Sequence, residues 1–75
     1  MRLIEELTGL TYHIPNWLAE KNGIDRREMF LQDESDRGLL LNFGFDEQLG
    51  ESKKVWIPKS QCRVTERTEE LFDAS

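Results

Sequence analysis

The sequence is poor in the residues on which small metal-binding and cross-linked proteins depend. It holds one cysteine and one histidine in 75 residues. A lone cysteine excludes an internal disulfide, and one Cys with one His falls short of the roughly three or four ligands of a zinc site. No apolar run approaches the roughly 18 residues of a membrane-spanning helix. We therefore expect no cofactor, no metal and no membrane contact, and the lone thiol favours the reducing cytoplasm.

Motifs of catalysis are also missing. The sequence has neither a G-x-x-x-x-G-K-[ST] run nor a G-x-G-x-x-G run, so a nucleotide site is not indicated. Cys62 and His13 are the only candidates for a thiol nucleophile with an imidazole base, and such a pair needs a lowered thiol pKa and an orienting third group. Asp33 begins a stretch with calcium-loop spacing, but Gly44 stands where an EF-hand needs Glu. We expect no catalytic residues and no enzyme.

The length allows one small domain. The chain weighs 8.8 kDa, and residues 1–75 are predicted to form a single domain in which 68–75 are a frayed acidic tail. A domain of this size buries only roughly 60% of its unfolded surface. It depends on a few large side chains or on association with a second copy, so a homodimer is one expectation.

Alternating patterns predict strands. Residues 38–45 form the clearest one, and period two places four apolar residues on one face, with a bulge or bend at Gly44. These four are Leu39, Leu41, Phe43 and Phe45. In the strand 54–57 we expect Val55 and Ile57 inside, and Trp56 on the other face, partly covered by the N-terminal segment. Weaker alternation at 10–14, 28–32 and 61–67 predicts further strands.

One short helix is predicted between two of these strands. It begins at Pro15 and runs to Asn22, with Gly23 as the residue after its C-cap and Ile24 making the accompanying apolar contact. Residues 1–10 are ambiguous, because their apolar residues fit a short helical face that Gly9 ends. The predicted fold is α+β and mostly β: a small curled antiparallel sheet or open barrel of three to four strands with one short helix.

Two segments resemble a group of small, largely uncharacterised phage and prokaryotic proteins. Residues 55–61, Val-Trp-Ile-Pro-Lys-Ser-Gln, are similar to a W-I-P-K-S-Q strand segment, and residues 14–24 are similar to an I-P-x-W-L-A helix segment. In that group a strand resembling residues 37–41 pairs with the W-I-P-K-S-Q strand. The two segments stand here in the reverse order. The resemblance implies a small curled β domain, a phage or mobile-element origin and no catalytic residues.

Charge is unevenly distributed along the chain. The net charge is −5, residues 25–52 alone sum to −5, and residues 53–67 sum to +4. An acidic surface attracts basic partners and speeds encounter with them. We therefore expect a small non-enzymatic protein-interaction module, in its sharper form a phage or mobile-element accessory or inhibitor protein that binds a basic host protein. Its candidate protein-binding residues are Asp33, Glu34, Asp36, Asp46 and Glu47.

The basic segment supports an alternative function. Cations around an aromatic ring resemble the surfaces with which small β-barrels bind single-stranded nucleic acid. The candidate residues of this alternative are Lys54, Trp56, Lys59 and Arg63. The overall negative charge opposes phosphate binding. Plain explanations also exist for both charge patterns, since −5 serves solubility and the cations can neutralise neighbouring acids within the fold.

Overall fold

The computed structural model describes residues 1–66, so the tail expected at 68–75 lies outside the described residues. Within this range the chain is mostly β with one short helix, as the sequence predicts. The strands are β1 (Arg2–Glu5), β2 (Thr11–His13), β3 (Glu28–Glu34), β4 (Gly38–Asp46), β5 (Glu51–Pro58) and β6 (Arg63–Thr65). The helix α1 spans Asn16–Lys21, and a 3-10 turn, Lys59–Gln61, joins β5 to β6.

The six strands form one mixed, unclosed sheet in the order β5-β4-β3-β1-β2-β6. The prediction of three to four antiparallel strands was therefore wrong in number and in direction. β1 and β3 pair in parallel, whereas the other neighbours are antiparallel. The reason is the connection: β2 turns back along β1, and α1 then carries the chain across so that β3 runs in the direction of β1.

The first strand replaces the short helix considered for residues 1–10. Leu3 and Glu5 point inward on β1, and residues 6–9 form the turn to β2. Leu7, which shares a helical face with Leu3 in the alternative reading, lies exposed on this turn. A carboxylate at an inward position hid the period-two pattern of the strand.

The helix ends as predicted. Pro15 is its N-cap, and Gly23 has φ 63° directly after the C-cap. The N–H of Ile24 donates to the carbonyl of Ala19 at 2.9 Å, and the N–H of Gly23 donates to the carbonyl of Glu20 at 3.1 Å. These two bonds define a Schellman end, with Ile24 buried as its apolar contact.

The core lies between α1 and the inward face of the sheet. Leu18 and Ala19 bring the helix onto this face, whereas Trp17 is 55% exposed. The sheet contributes residues of several strands, among them Leu3, Met29, Leu41, Phe43, Val55 and Ile57. Among the described residues, no helix has the length and apolar character needed to cross a membrane.

Candidate interaction surface

The outward face of β3, β4 and β5 carries an exposed aromatic residue. Val55 and Ile57 are buried, as predicted, so alternation places Trp56 outside, where it is 51% exposed. It lies opposite the half-buried Leu40 of β4, and one row further along Lys54 lies opposite Asn42. Lys54 and Trp56 therefore share one face and stand in successive rows.

The Trp56 ring packs against the backbone of β4 at Gly38. A Cβ atom at Gly38 would lie 3.2 Å from Cε3 of Trp56 and 3.4 Å from Oγ of Ser35. The missing side chain of Gly38 thus leaves the space over β4 that the indole occupies. A ring held against the backbone loses little conformational entropy when a partner covers it.

The four residues of the basic alternative are divided among β5, the 3-10 turn and β6. Lys54 and Trp56 come together on β5, but the Nζ of Lys59 lies 2.6 Å from Oε2 of Glu34 and forms an ion pair with it. Arg63 lies on β6, opposite His13 of β2 and at the other edge of the sheet order. The basic surface is therefore narrower than the sequence suggests.

The five candidate acidic residues are divided between the two ends of β4. Three lie at the end of β3 and in the turn before β4, and two lie at and after the other end of β4. β4 has nine residues, which places these ends about 27 Å apart at the usual rise per residue. The first group is Asp33, Glu34 and Asp36, and the second is Asp46 and Glu47.

Several of these carboxylates already have local partners. Glu34 pairs with Lys59, and Oδ1 of Asp33 accepts the N–H of Glu34 at 2.8 Å. Oδ1 of Asp46 accepts the N–H of Gln48 at 2.8 Å and so shapes the turn between β4 and β5. The acidic residues thus serve local structure as well as surface charge.

The bulge predicted at Gly44 is present and redirects Phe45. Gly44 has φ 91°, and the β4–β5 register shifts between Asn42 and Phe45. Leu39, Leu41 and Phe43 are buried as expected, but Phe45 is 60% exposed, so its predicted inward position was wrong. The extra residue of the bulge turns the strand before Phe45.

Arg26 holds this bulge, a role that the sequence did not reveal. Its Nη1 donates to the carbonyls of Phe43 and Phe45, each at 3.2 Å. These carbonyls flank Gly44 where the regular ladder is interrupted. Nothing in the charged run of residues 25–28 distinguishes Arg26 from its neighbours before the register is known.

Glu5 is the second residue that sequence reasoning missed. It is 2% exposed, and its carboxylate accepts the N–H of Leu31 at 2.8 Å and the N–H of Thr8 at 2.7 Å. Burial alone would raise the pKa of Glu5, but these bonds and the Thr8 hydroxyl outweigh it, so the pKa of Glu5 lies below its usual value. A buried carboxylate that accepts three hydrogen bonds here joins β3 to the turn that follows β1.

His13 and Cys62 make different contacts in the structure. Nε2 of His13 lies 2.9 Å from Oγ1 of Thr65, across the β2–β6 pair. Cys62 packs partly buried against the core, and burial raises the pKa of its thiol, which keeps it protonated at neutral pH. Among residues 1–66, no three His, Cys, Asp or Glu side chains group in a way that could hold a metal ion.

Comparisons with known proteins give no match. No protein-family model, no curated protein and no solved structure matches the chain. The W-I-P of the first resembling segment ends β5 and its K-S-Q forms the 3-10 turn, while the second segment begins directly after β2 and contains α1. The resemblance to the phage and prokaryotic group stays a prediction.

Proposed function

We propose that the protein is a non-enzymatic interaction module that binds another protein through the outward face around Trp56. One observation carries the proposal: a tryptophan ring on the outward face of the edge strand β5 is half exposed and packs over Gly38, the first residue of β4. Tryptophan is enriched among the residues that dominate binding energy. The half-buried Leu40 beside it extends the apolar contact area.

The sharper form of this proposal is an accessory or inhibitor protein of a phage or mobile element, acting in the cytoplasm on a basic host protein. Its support is the net charge of −5 and the acidic residues of the β3–β4 turn, which border the Trp56 row through Asp33. Asp46 and Glu47 lie at the far end of β4. A compact partner therefore contacts the acidic residues at one end of β4 more readily than those at both ends.

Binding of single-stranded nucleic acid is the second candidate. It is favoured by Lys54 and Trp56, a cation and a stacking ring on one exposed face. It is opposed by the Lys59–Glu34 ion pair, which takes one cation away, and by Asp33, which lies opposite Leu40 in the Trp56 row. Protein binding is therefore the preferred function.

A matched pair of tryptophan variants tests the proposal. Trp17 on α1 is 55% exposed and Trp56 is 51% exposed, so Trp17→Ala is a control for removing an exposed indole. Tagged wild-type protein and both variants are mixed with nuclease-treated bacterial lysate. We expect a stoichiometric protein partner that wild type and Trp17→Ala retain and Trp56→Ala loses.

Other outcomes have definite meanings. Retention by Trp56→Ala would contradict the proposed surface. If charge reversal at Asp33 and Asp36 abolishes capture of the partner while Trp56→Ala still captures it, the binding site lies at the acidic turn and not at Trp56. Partners that vanish after nuclease treatment would favour nucleic acid. A doubled mass in light scattering, lost in Trp56→Ala, would show that the face joins two copies of the chain.

A further inference from the structure

We infer that the free edge of β5 accepts an extended acidic segment of the partner protein as an additional strand. This inference rests on the proposed protein-binding face around Trp56 and specifies its partner and mode of contact. It replaces the basic host protein of the sharper form with a partner that offers an acidic segment. β5 is the last strand in the sheet order, and within residues 1–66 it pairs only with β4. The backbone groups of β5 that point away from β4 determine what this edge can accept.

One hydrogen bond fixes this orientation. The N–H of Lys59 donates to the carbonyl of Arg37 at 2.8 Å, which gives Arg37 and Lys59, one step beyond the Gly38–Pro58 pair, the phase of a hydrogen-bonded pair of the antiparallel ladder. Such pairs recur at every second residue. Val55 and Ile57, opposite Leu41 and Leu39, therefore bond to β4.

The backbone groups of the residues between these pairs therefore point away from β4. The N–H and C=O groups of Lys54 and Trp56 point to the free edge, and none has a backbone partner in the described part of the chain. Pro58 follows in the same phase, where the N–H that it lacks would face solvent. The ladder open to a partner therefore reaches from Lys54 to the carbonyl of Pro58.

The charge of β5 indicates which kind of incoming strand can pair with its edge. Residues 52–58 of β5 hold two cations, Lys53 and Lys54, and no acidic residue, although the whole chain has a net charge of −5. Lys54 projects from the outward face of β5, and Lys53 projects inward, where its Nζ donates to the carbonyl of Gly23. Acidic side chains on both faces of an incoming strand would meet these lysines, since cross-strand pairs of opposite charge stabilise a sheet.

The same observations disfavour two other occupants. A second copy of this chain would bring an equally basic β5 to the edge, and like charges across a strand pair are destabilising. A nucleic acid strand has no row of alternating donors and acceptors at the spacing of a peptide backbone. An extended peptide with acidic residues and an apolar residue for the Trp56 ring fits both the ladder and the charge.

The probe is a displayed library of linear peptides about ten residues long, a length that covers the open ladder. Selection on the immobilised full chain is expected to enrich acidic residues alternating with apolar or β-branched ones. A selected peptide is then added to labelled protein, and backbone amide exchange is followed by NMR. We expect exchange at Lys54 and Trp56 to slow by about tenfold or more, as their N–H groups enter a ladder.

Two variants at one position separate edge pairing from charge. Lys54→Pro removes the outward N–H, at a phase where Pro58 already shows that β5 tolerates proline, and Lys54→Gln removes the charge alone. We expect Lys54→Pro to bind the peptide about tenfold more weakly than Lys54→Gln, because a partner carbonyl loses its donor. Should Lys54→Pro unfold, the exchange data on wild-type protein decide the matter.

The failures can be told apart. If peptides and protein partners need Trp56 while amide exchange at Lys54 and Trp56 is unchanged, the inference is overturned and the proposed function stands. If the wild-type chain binds no protein and no peptide, both fail. Tight binding of an oligothymidine strand with a steep salt dependence, and no selected peptide, would replace the inference by nucleic-acid binding.

Discussion

Oε2 of Glu5 accepts the N–H of Leu31 at 2.8 Å, and this bond joins β1 to β3 beyond their two paired positions. The side chain takes the place of the next backbone carbonyl of β1. Oε1 accepts the N–H and the hydroxyl of Thr8, so the same carboxylate shapes the turn that leads to β2. One buried acid therefore supports both neighbours of β1.

The pH dependence of stability follows from this carboxylate. Because the pKa of Glu5 is lowered in the folded state, its ionised form contributes stability above the unfolded pKa, and that contribution is lost as the pH falls through the lower folded value. We expect Glu5→Gln to reduce the free energy of unfolding by about 1–3 kcal/mol at neutral pH. The difference from wild type should shrink at an acid pH well below 4.5, the usual pKa of a glutamate, because the carboxylate is then protonated in the folded state as well.

Urea unfolding at the two pH values measures this effect. Glu6→Gln is the matched control, since Glu6 is the adjacent, exposed carboxylate, and its change should stay within about 0.5 kcal/mol. An equal loss for Glu5→Gln at both pH values would show that shape, rather than charge, explains the role of Glu5.

Removal of a buried hydroxyl should raise the free energy of unfolding, in contrast to removal of the Glu5 charge. Oγ1 of Thr11 on β2 is buried without a hydrogen-bond partner within residues 1–66. Thr11→Val keeps the β-branched shape and removes the unsatisfied oxygen, so we expect a gain of about 1 kcal/mol in the free energy of unfolding. Thr65→Val is the control, because its hydroxyl bonds to His13 and its removal should destabilise. A loss of stability in Thr11→Val would reveal a partner for that oxygen.

Removing the Arg26 guanidinium tests how the β4 bulge is held. Arg26→Ala removes the donor of the Phe43 and Phe45 carbonyls and should cost about 1 kcal/mol. Arg27→Ala, at the exposed neighbouring position, should change stability by less than about 0.5 kcal/mol. Thermal unfolding of the two variants gives the comparison, and equal midpoints would deny Arg26 this role.

The glycine of the bulge has a steric requirement of its own. Gly44 has φ 91°, a region that residues with a Cβ adopt at a cost of about 1–2 kcal/mol. The Cβ added in Gly44→Ala would lie 3.7 Å from Nη1 of Arg26, an ordinary contact, so backbone strain is the expected cause of any loss. Gly44→Ala in the Arg26→Ala background should therefore cost nearly as much as in wild type, as double-variant unfolding would show.

Local patterns were enough to predict part of this fold. Period two placed Val55 and Ile57 inside and Trp56 outside, and the Gly23–Ile24 pair identified the helix end. β1 was missed because its inward Glu5 reads as a surface residue until Leu31 is known to lie beside it. Phe45 was misplaced because a bulge shifts the alternation, although Gly44 signals that one is present.

Only the part of the candidate surface whose residues are close in sequence could be predicted. Lys54 and Trp56 are two residues apart on one strand, so their shared face follows from alternation. The Lys59–Glu34 ion pair joins residues 25 positions apart, and no spacing rule anticipates it. The separation of Asp33 from Asp46 likewise depends on strand length and register, which the charge pattern does not contain.

The free edge of β5 makes a prediction for the unbound chain. Val55 and Ile57 bond to β4, whereas the N–H groups of Lys54 and Trp56 point to the open edge. Amide exchange should therefore alternate along β5, with Val55 and Ile57 slower than Lys54 and Trp56 by about a hundredfold, since exposed amides exchange without any opening of the sheet. NMR on the free, full-length chain measures all of these amides in one experiment. Equal protection of Trp56 and Val55 would mean that the edge is already occupied, and strand addition by a partner would then have no vacant ladder to use.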